Sequence, residues 1–228
     1  MPTKSSMKNN RPRQFDLLVF DWDGTLMDST AIIADSIRGA CADLNLPIPS
    51  ETAARHIIGL GLQQAISVLQ PELPLHDYPA LTARYRERFL SQDHTLTMFD
   101  GVCDTLPSLH AAGHWLAVAT GKNRQGLDRA LNQSGLRNWF HATRCAEETF
   151  SKPHPAMLLE LMQVCQVPAE RTLMIGDTSH DLEMACNANV AAVAVSYGAH
   201  SRETLENHSP MFLADNFPDL ARWLTEYA

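Results

Sequence analysis

Five short apolar runs divide this chain, and most of them end where glycine or acidic residues begin. They cover Phe15–Phe20, Trp115–Ala119, Ala142–Cys145, Thr172–Ile175 and Ala191–Val195. Runs of this length without polar alternation are typical of strands that are buried on both faces of a parallel sheet. Segments with helical periodicity separate the last four runs, at Arg124–Gln133, Ala156–Cys165 and Ser179–Asn187. Strands that alternate with helices predict an α/β fold with a Rossmann-like three-layer core around a parallel sheet.

Residues 30–98 interrupt this alternation. They contain no convincing strand, and their helical patterns cover Ala31–Leu44, Glu51–Ile57, Leu62–Leu69 and Asp77–Gln92. Both edges, Asp28-Ser29 and Phe99-Asp-Gly101, have the composition of turns, which suits hinges. We therefore predict an all-helical insertion after the first strand, named here the cap segment (residues 30–98). The Rossmann-like core then comprises residues 15–29 and 99–228, and residues 1–14 are expected to form a flexible basic tail.

The charge distribution and the absence of long apolar runs restrict the classes of partner. The 228 residues carry a net charge of −8, and four of the basic residues lie in the tail, at Lys4, Lys8, Arg11 and Arg13. The remaining fourteen basic side chains face twenty-six acidic ones, which disfavours nucleic-acid binding. No run approaches the ~18 apolar residues of a membrane span, and the tail lacks the apolar region of a secretory signal. The five cysteines include no Cys-x-x-Cys pair, so they indicate neither a disulfide framework nor a zinc site. We expect a cytoplasmic monomer or homodimer without nucleic-acid or membrane partners.

Two acidic clusters follow predicted strands. The first spans Asp21 to Thr25, directly after Phe15–Phe20, and the second contains Asp177 and Asp181, after Thr172–Ile175. Either cluster alone is as typical of an ordinary turn or helix cap as it is of a functional site. However, ligands of an open parallel sheet bind at the carboxyl ends of its strands, where both clusters are expected to lie. Carboxylates from two strand ends would form an oxygen-rich pocket suited to Mg²⁺.

Outside the tail the chain has two lysines, Lys122 and Lys152, and both fall on loops at the same predicted edge of the sheet. An ammonium group beside several carboxylates limits their repulsion and offers positive charge to a phosphoryl group. Next to Lys122, Thr120 adds a hydroxyl donor and Gly121 allows close approach of the backbone. These loops are therefore candidates for binding a phosphoryl group.

In this order, Asp21-x-Asp23-Gly-Thr25 with Asp28-Ser29, then Thr120, Lys152 and Gly176-Asp177-x-x-x-Asp181, resemble the four motifs of the haloacid dehalogenase-like hydrolase superfamily. The resemblance covers residues 15 to about 195. The type and position of the cap segment resemble the C1 cap of phosphoglycolate phosphatase-like and β-phosphoglucomutase-like members. Asn189 stands where many relatives have glycine, and asparagine also tolerates the left-handed conformation of a helix C-terminus.

The resemblance implies a Mg²⁺-dependent phosphatase that hydrolyses a small phosphorylated metabolite through an aspartyl-phosphate. It implies that Asp21 is the nucleophile and that Asp23 is the general acid and base. Thr120 would hold phosphoryl oxygens, and Lys152 would neutralise charge on them and order Asp21. The implied metal ligands are the Asp21 carboxylate, the Asp23 backbone carbonyl and the Asp177 carboxylate. Asp181 would support the metal site without binding the metal directly.

Further substrate contacts are expected in two places. Gly24, Gly121 and Lys122 belong to the core loops that would surround the phosphoryl group. In the cap segment, the candidates for reading the rest of the substrate are Arg55, His56 and Gln63. These three flank Gly59-Leu-Gly61, where C1-capped relatives carry a loop that reaches the core. The resemblance favours phosphoglycolate-like monophosphates, and sugar phosphates and nucleotides stay open.

Several alternatives share these motifs in part. A sugar-phosphate mutase has the same core site and differs in whether water reaches the aspartyl-phosphate, so the motifs leave it open. A non-catalytic phosphometabolite-binding protein is expected to have lost one of Asp21, Asp23, Lys152 or Asp177, and all four are present. Dehalogenation needs neither a second acid/base carboxylate nor Mg²⁺, so the presence of Asp23 and Asp177 argues against it. Phosphonate hydrolysis needs an amine in the cap, and it is excluded because residues 30–98 contain no lysine. Among these activities, phosphatase activity is the one that gives every motif a role.

Overall fold

The computed structural model describes residues 13–228, which form a six-stranded sheet covered by helices. The strands are β1 (Leu17–Phe20), β2 (Trp115–Thr120), β3 (Ala142–Cys145), β4 (Thr172–Gly176), β5 (Ala191–Val195) and β6 (Phe212–Ala214). Their order is β3-β2-β1-β4-β5-β6, and every neighbouring pair is parallel. Phe20 at the end of β1 lies opposite Val118 of β2 and Ile175 of β4. The predicted α/β fold with a parallel sheet is confirmed, and β1 lies near its centre.

Ten α-helices accompany the sheet within residues 13–228. They are α1 (Thr30–Asp43), α2 (Glu51–His56), α3 (Leu62–Leu69), α4 (Tyr78–Leu90), α5 (Val102–Ala111), α6 (Arg124–Ser134), α7 (Ala156–Cys165), α8 (Ser179–Asn187), α9 (Arg202–Glu206) and α10 (Phe217–Tyr227). Alternate residues of β1 point to opposite faces of the sheet. Leu18 and Phe20 join one apolar cluster, and Leu17 and Val19 join another. The sheet is therefore the middle of three layers.

Helices α1 to α4 lie in the chain between β1 and α5, within the predicted cap segment. They pack around two apolar clusters, one containing Ile37 and Leu81 and the other containing Ile58, Phe89 and, from the core, Ala199. The chain enters and leaves this insertion through two adjacent segments joined by an antiparallel bridge between Met27 and Met98. The two chain connections between the cap segment and the core thus run side by side.

Both ends of the described chain add to the predicted picture. Residues 1–12 of the predicted tail lie outside the described residues. Arg13 contacts the core through hydrogen bonds to Asp16 and to the backbone of Ala112. After β5 the structure adds α9, β6 and α10, which the sequence analysis did not assign. No helix in residues 13–228 is long and apolar enough to cross a membrane.

Candidate active site

The two acidic clusters meet at the carboxyl edge of the sheet, as predicted. Asp21 directly follows β1, Thr120 is the last residue of β2, and Asp177 directly follows β4. Because β2 and β4 are the two neighbours of β1, these three strand ends lie side by side. All three side chains are buried, and Asp21 is only 1% exposed. The site is therefore built by the parallel topology rather than by the proximity of these residues in sequence.

Lys152, on the loop before α7, connects the two acidic clusters. Its Nζ lies 2.6 Å from Asp21 Oδ1 and 2.7 Å from Asp181 Oδ1, and the side chain is fully buried. Burial alone would lower the pKa of this lysine. The Asp181 and Asp21 carboxylates outweigh that effect and raise the pKa of Lys152 above its usual value. Lys152 is therefore a permanently charged group held between two carboxylates.

The carboxylates of Asp177 and Asp181 are held by different partners. Asp177 Oδ1 accepts a hydrogen bond from Thr25 Oγ1 at 2.9 Å, and its Oδ2 accepts from the backbone N–H of Ala199 at 2.7 Å. Asp181 Oδ2 accepts from both the backbone N–H and the Oγ1 of Thr178, which forms a capping box at the start of α8. Both oxygens of Asp181 are thus engaged by Thr178 and Lys152, which fits a supporting position.

The carboxylate cluster has the donor set that a hard divalent cation requires. Asp21, Asp177 and Asp181 each offer an oxygen within 4.8 Å of one another. Asp21 Oδ2 is buried without a hydrogen-bond partner among the described residues. Three buried carboxylates face one ammonium group, and their burial and mutual repulsion raise the pKa of Asp21 and raise that of Asp177 to about 7. A cation with oxygen ligands would supply the missing positive charge.

Asp23 lies two residues from Asp21 and in a different environment. Its Oδ1 accepts a hydrogen bond from Ser29 Oγ at 2.6 Å and lies 3.0 Å from Lys122 Nζ. The Lys122 ammonium in turn lies 4.9 Å from the centre of the Phe89 ring on α4. Lys122 therefore contacts Asp23 rather than standing free for substrate. The contact with Ser29 was missed, although Ser29 belongs to the motif that the sequence displays.

Two glycines that the sequence proposes as substrate contacts have structural reasons for being glycine. Gly24 has a φ of +84°, and a Cβ atom there would clash with the Asp177 carboxylate. It therefore allows β1 and β4 to bring their acids together. At Gly121 a Cβ atom would lie 2.5 Å from the carbonyl oxygen of Leu60 and 2.6 Å from that of Gly59. Gly121 thus marks where the cap segment contacts the core.

A cavity of about 680 Å³ lies between the cap segment and this edge of the sheet. Asp21, Asp23, Thr120, Gly121 and Lys122 line it from the core. Among the candidates in the cap segment, Gln63 also lines it, whereas Arg55 and His56 are not among its lining residues in the described part of the chain. The Arg55 guanidinium instead contacts Glu51 and Thr30, each at 3.3 Å.

His56 contacts the core in a way that the sequence gave no reason to expect. Its backbone carbonyl lies 2.8 Å from His180 Nε2 and 3.1 Å from His200 Nε2. The other ring nitrogen of His200, Nδ1, accepts a hydrogen bond from the backbone N–H of Ser179 at 3.0 Å. Burial lowers the pKa of His180 and lowers that of His200 to about 4. Two imidazoles of the core therefore bind one carbonyl of the cap segment.

Comparisons with known proteins agree with this geometry. Residues 18–195 match the family model described as haloacid dehalogenase-like hydrolase. The chain is 35% identical over 211 residues to the protein named Probable phosphatase IndB of Dickeya dadantii, covering 90% of this chain and 91% of that protein. It is 32% identical over 223 residues to the phosphoglycolate phosphatase of Vibrio cholerae, covering 91% and 96% of the two chains.

A solved structure supports the fold independently. The crystal structure of a hydrolase from Pseudomonas syringae has a TM-score of 0.86 to this chain at 20% identity, covering 93% of this chain and 99% of the other. At that identity the likeness concerns the fold alone. The family match covers most of the chain and includes the strand ends that carry Asp21, Thr120 and Asp177. This chain belongs to the haloacid dehalogenase-like hydrolase family.

Proposed function

We propose that this hydrolase is a Mg²⁺-dependent phosphatase that transfers the phosphoryl group of a small phosphorylated metabolite to Asp21 and then to water. The observation that carries the proposal is the pair Asp21 and Asp23. Both carboxylates line one cavity, but Asp21 is held by a buried lysine and Asp23 by a serine hydroxyl and Lys122. Two carboxylates in different environments can take different roles in one reaction.

In the first step, a carboxylate oxygen of Asp21 attacks the phosphorus atom of the ester. The bond between phosphorus and the alcohol oxygen breaks, and a carboxylic acid at Asp23 donates its proton to that oxygen as the alcohol leaves. Lys152 keeps Asp21 oriented through its 2.6 Å contact. The Thr120 hydroxyl, which lines the cavity, is available to donate to a phosphoryl oxygen.

In the second step, water attacks the phosphorus atom of the aspartyl-phosphate. Asp23, now ionised, accepts a proton from the attacking water, and the bond between phosphorus and Asp21 breaks to release inorganic phosphate. Asp23 is thereby returned to its acid form and Asp21 to a carboxylate. The hydrogen bond from Ser29 Oγ fixes the Asp23 carboxylate so that it can serve the alcohol and the water in turn.

The carboxylates of Asp21 and Asp177 and the backbone carbonyl of Asp23 would hold the Mg²⁺, with Asp181 supporting the site through Lys152 and Thr178. When bound, the cation would neutralise phosphoryl charge. The orphaned Oδ2 of Asp21 and the raised pKa values of Asp21 and Asp177 support this assignment, because both indicate a deficit of positive charge in the cluster.

The curated relatives suggest where a substrate search should begin. Those from several Vibrio species are named phosphoglycolate phosphatase, which puts phosphoglycolate first among the esters to assay.

The mutase alternative requires that a sugar hydroxyl, not water, accept the phosphoryl group from Asp21. Release of inorganic phosphate in proportion to ester consumed therefore separates the two reactions.

Hydrolysis of acetyl phosphate tests the proposal with a probe too small to depend on the cap segment. We expect release of inorganic phosphate with Mg²⁺ and its loss in excess chelator, restored when Mg²⁺ is added back. A colorimetric assay measures the inorganic phosphate that the full-length chain releases. A folded protein that releases no phosphate with any of Mg²⁺, Mn²⁺ or Co²⁺ would instead favour the non-catalytic binding protein.

The thermal stabilisation by Mg²⁺ is expected to increase from pH 6 to pH 8. Asp177 has its pKa raised to about 7 in the metal-free fold against ~3.9 when unfolded, so the metal-free protein loses stability as the pH rises from about 4 to about 7 and loses no more above that. Below pH 7, Mg²⁺ must displace a proton, which weakens its apparent affinity about tenfold per pH unit. Unfolding temperatures across a Mg²⁺ titration at each pH measure the effect. Equal apparent affinities at pH 6 and pH 8 would contradict it.

A further inference from the structure

The cavity is much larger than a phosphoryl group with a two-carbon alcohol requires. Its volume of about 680 Å³ lies within the range of ~300–1,000 Å³ that holds a drug-sized ligand, whereas one water molecule takes ~30 Å³. Cap segment and core are already in contact, through the His56 carbonyl and through the Gly61 N–H, which donates to Ser151 Oγ at 2.8 Å. The volume therefore belongs to a chamber beneath a docked cap segment.

Two of the three arginine and lysine side chains that line the cavity are already paired with carboxylates of the protein. Lys122 is paired with Asp23 at 3.0 Å, and Arg129 is paired with Asp93 at 3.0 Å. Arg86 also lines the cavity, is exposed, and forms no ion pair within residues 13–228. A carboxylate next to the phosphoryl group, as in phosphoglycolate, would have to compete with Asp23 for Lys122. A neutral alcohol carries no such cost.

One side of the cavity is aromatic. Tyr85 and Phe89 lie one turn apart on α4, with ring centres 6.0 Å apart and planes inclined by 27°. Ile58 and Leu60, from the loop that contacts Gly121, also line the cavity. A lining that combines aromatic rings with branched aliphatic side chains favours a flat ring with apolar faces. The cap segment thus offers more apolar surface than a two-carbon alcohol can cover.

The cavity also has amide groups that no protein group uses. Gln63 on α3 and Gln125 on α6 line it, and within residues 13–228 neither side chain forms a hydrogen bond with another group. A primary amide provides donors and an acceptor together. Two such side chains are therefore suited to the polar edge of a heterocyclic ring.

We propose, building on the phosphatase function above, that the substrate is a phosphate monoester whose alcohol carries a planar, polar-edged ring, as a nucleoside does. Tyr85 covers a face of the ring, next to Phe89, whose own ring lies against the Lys122 ammonium, and Gln63 and Gln125 bind the edge of the substrate ring. The core residues handle the phosphoryl group whatever the alcohol is. The cap segment then accounts for selection of the alcohol by size, flatness and hydrogen bonding.

Steady-state kinetics of the full-length chain with Mg²⁺ test this proposal on four probes. They are acetyl phosphate, phosphoglycolate, a pyrimidine nucleoside 5′-monophosphate and a purine nucleoside 5′-monophosphate. Phosphoglycolate and the nucleotides are esters of primary alcohols, so their comparison reports recognition more than leaving-group chemistry. We expect kcat/KM for at least one nucleotide to exceed that for phosphoglycolate by about tenfold or more, through a lower KM. An equal or higher value for phosphoglycolate overturns the proposal.

The acetyl phosphate arm separates failure of this inference from failure of the phosphatase function. If acetyl phosphate is hydrolysed and phosphoglycolate is the better ester, the function stands and the ring-bearing substrate is wrong. If no probe is hydrolysed by folded protein, the phosphatase function itself is wrong, and the substrate proposal falls with it.

A matched pair of variants on α4 tests the role of the aromatic side. Tyr85→Leu removes the flat face while keeping an apolar side chain. We expect the ratio of kcat/KM for the preferred nucleotide to that for acetyl phosphate to fall about tenfold. Tyr78→Leu makes the same change at the first residue of the same helix, which does not line the cavity, and should leave that ratio unchanged. Equal ratios in the two variants, both checked for thermal unfolding, overturn the assignment of Tyr85.

Discussion

Replacement of Asp21 by asparagine is expected to lower kcat by about 10⁴-fold or more while leaving the fold intact. The amide cannot form the acyl phosphate, because its nitrogen replaces an oxygen and its carbonyl oxygen is a poor nucleophile. The fold should survive because asparagine has nearly the same shape and its oxygen can still accept the hydrogen bond from Lys152. Phosphate release and a thermal unfolding curve measure the two effects separately.

The control for this variant is the same substitution at the other end of the same strand. Asp16 precedes β1 and is partly exposed, with its carboxylate bound by Arg171 at 2.8 Å. Asp16→Asn is expected to weaken that surface contact and to keep wild-type kcat, because Asp16 lies at the opposite edge of the sheet from the site. Turnover by Asp21→Asn that approaches the wild-type rate would remove Asp21 as the nucleophile.

Replacement of Lys152 by methionine is expected to impair both folding and turnover. The change leaves Asp21 and Asp181 buried without their shared cation, and breaking a buried ion pair in this way costs about 3–5 kcal/mol of unfolding free energy. For a chain of this size each kcal/mol corresponds to ~2–4 °C in the unfolding temperature. Turnover should fall as well, since Lys152 orders Asp21.

Two readouts distinguish a lost charge from lost packing at this position. The destabilisation of Lys152→Met should shrink at low pH, because burial raises the pKa of Asp21 and its protonated form no longer needs the lysine. Lys122→Met, the same change at a lysine whose side chain is 11% exposed, should cost less stability. A destabilisation of Lys152→Met that is the same at pH 5 and pH 8 would show that lost packing, not lost charge, is responsible.

The core of the site could be predicted from the sequence because parallel strands impose their own geometry. Asp21 and Asp177 are far apart along the chain, but each follows an apolar run, and neighbouring parallel strands end at the same edge of the sheet. The same reasoning placed Lys152 on a loop at this edge, and its Nζ lies 2.6 Å from Asp21 Oδ1. Asn189 also behaves as expected from its residue type, with a φ of 55° after α8.

Other features were missed for two different reasons. The helix α10 had a readable signal, since Phe217, Leu220 and Leu224 repeat at helical spacing after the cap residue Asn216. This spacing is sufficient to predict the helix from the sequence. The contacts to the His56 carbonyl had no signal, because a backbone group accepts hydrogen bonds whatever its side chain is.

The contacts around His56 have a thermodynamic consequence. The backbone after Asp177 carries His180, and the loop whose Ala199 N–H binds Asp177 Oδ2 continues directly into His200. The groups that hold the cap segment and the groups that hold this carboxylate therefore lie on the same two short stretches of backbone. Any cation that binds the carboxylates more tightly when the cap segment is docked must, by reciprocity, favour docking by the same factor. Ion occupancy and cap position would then be two linked equilibria, each shifted by the other.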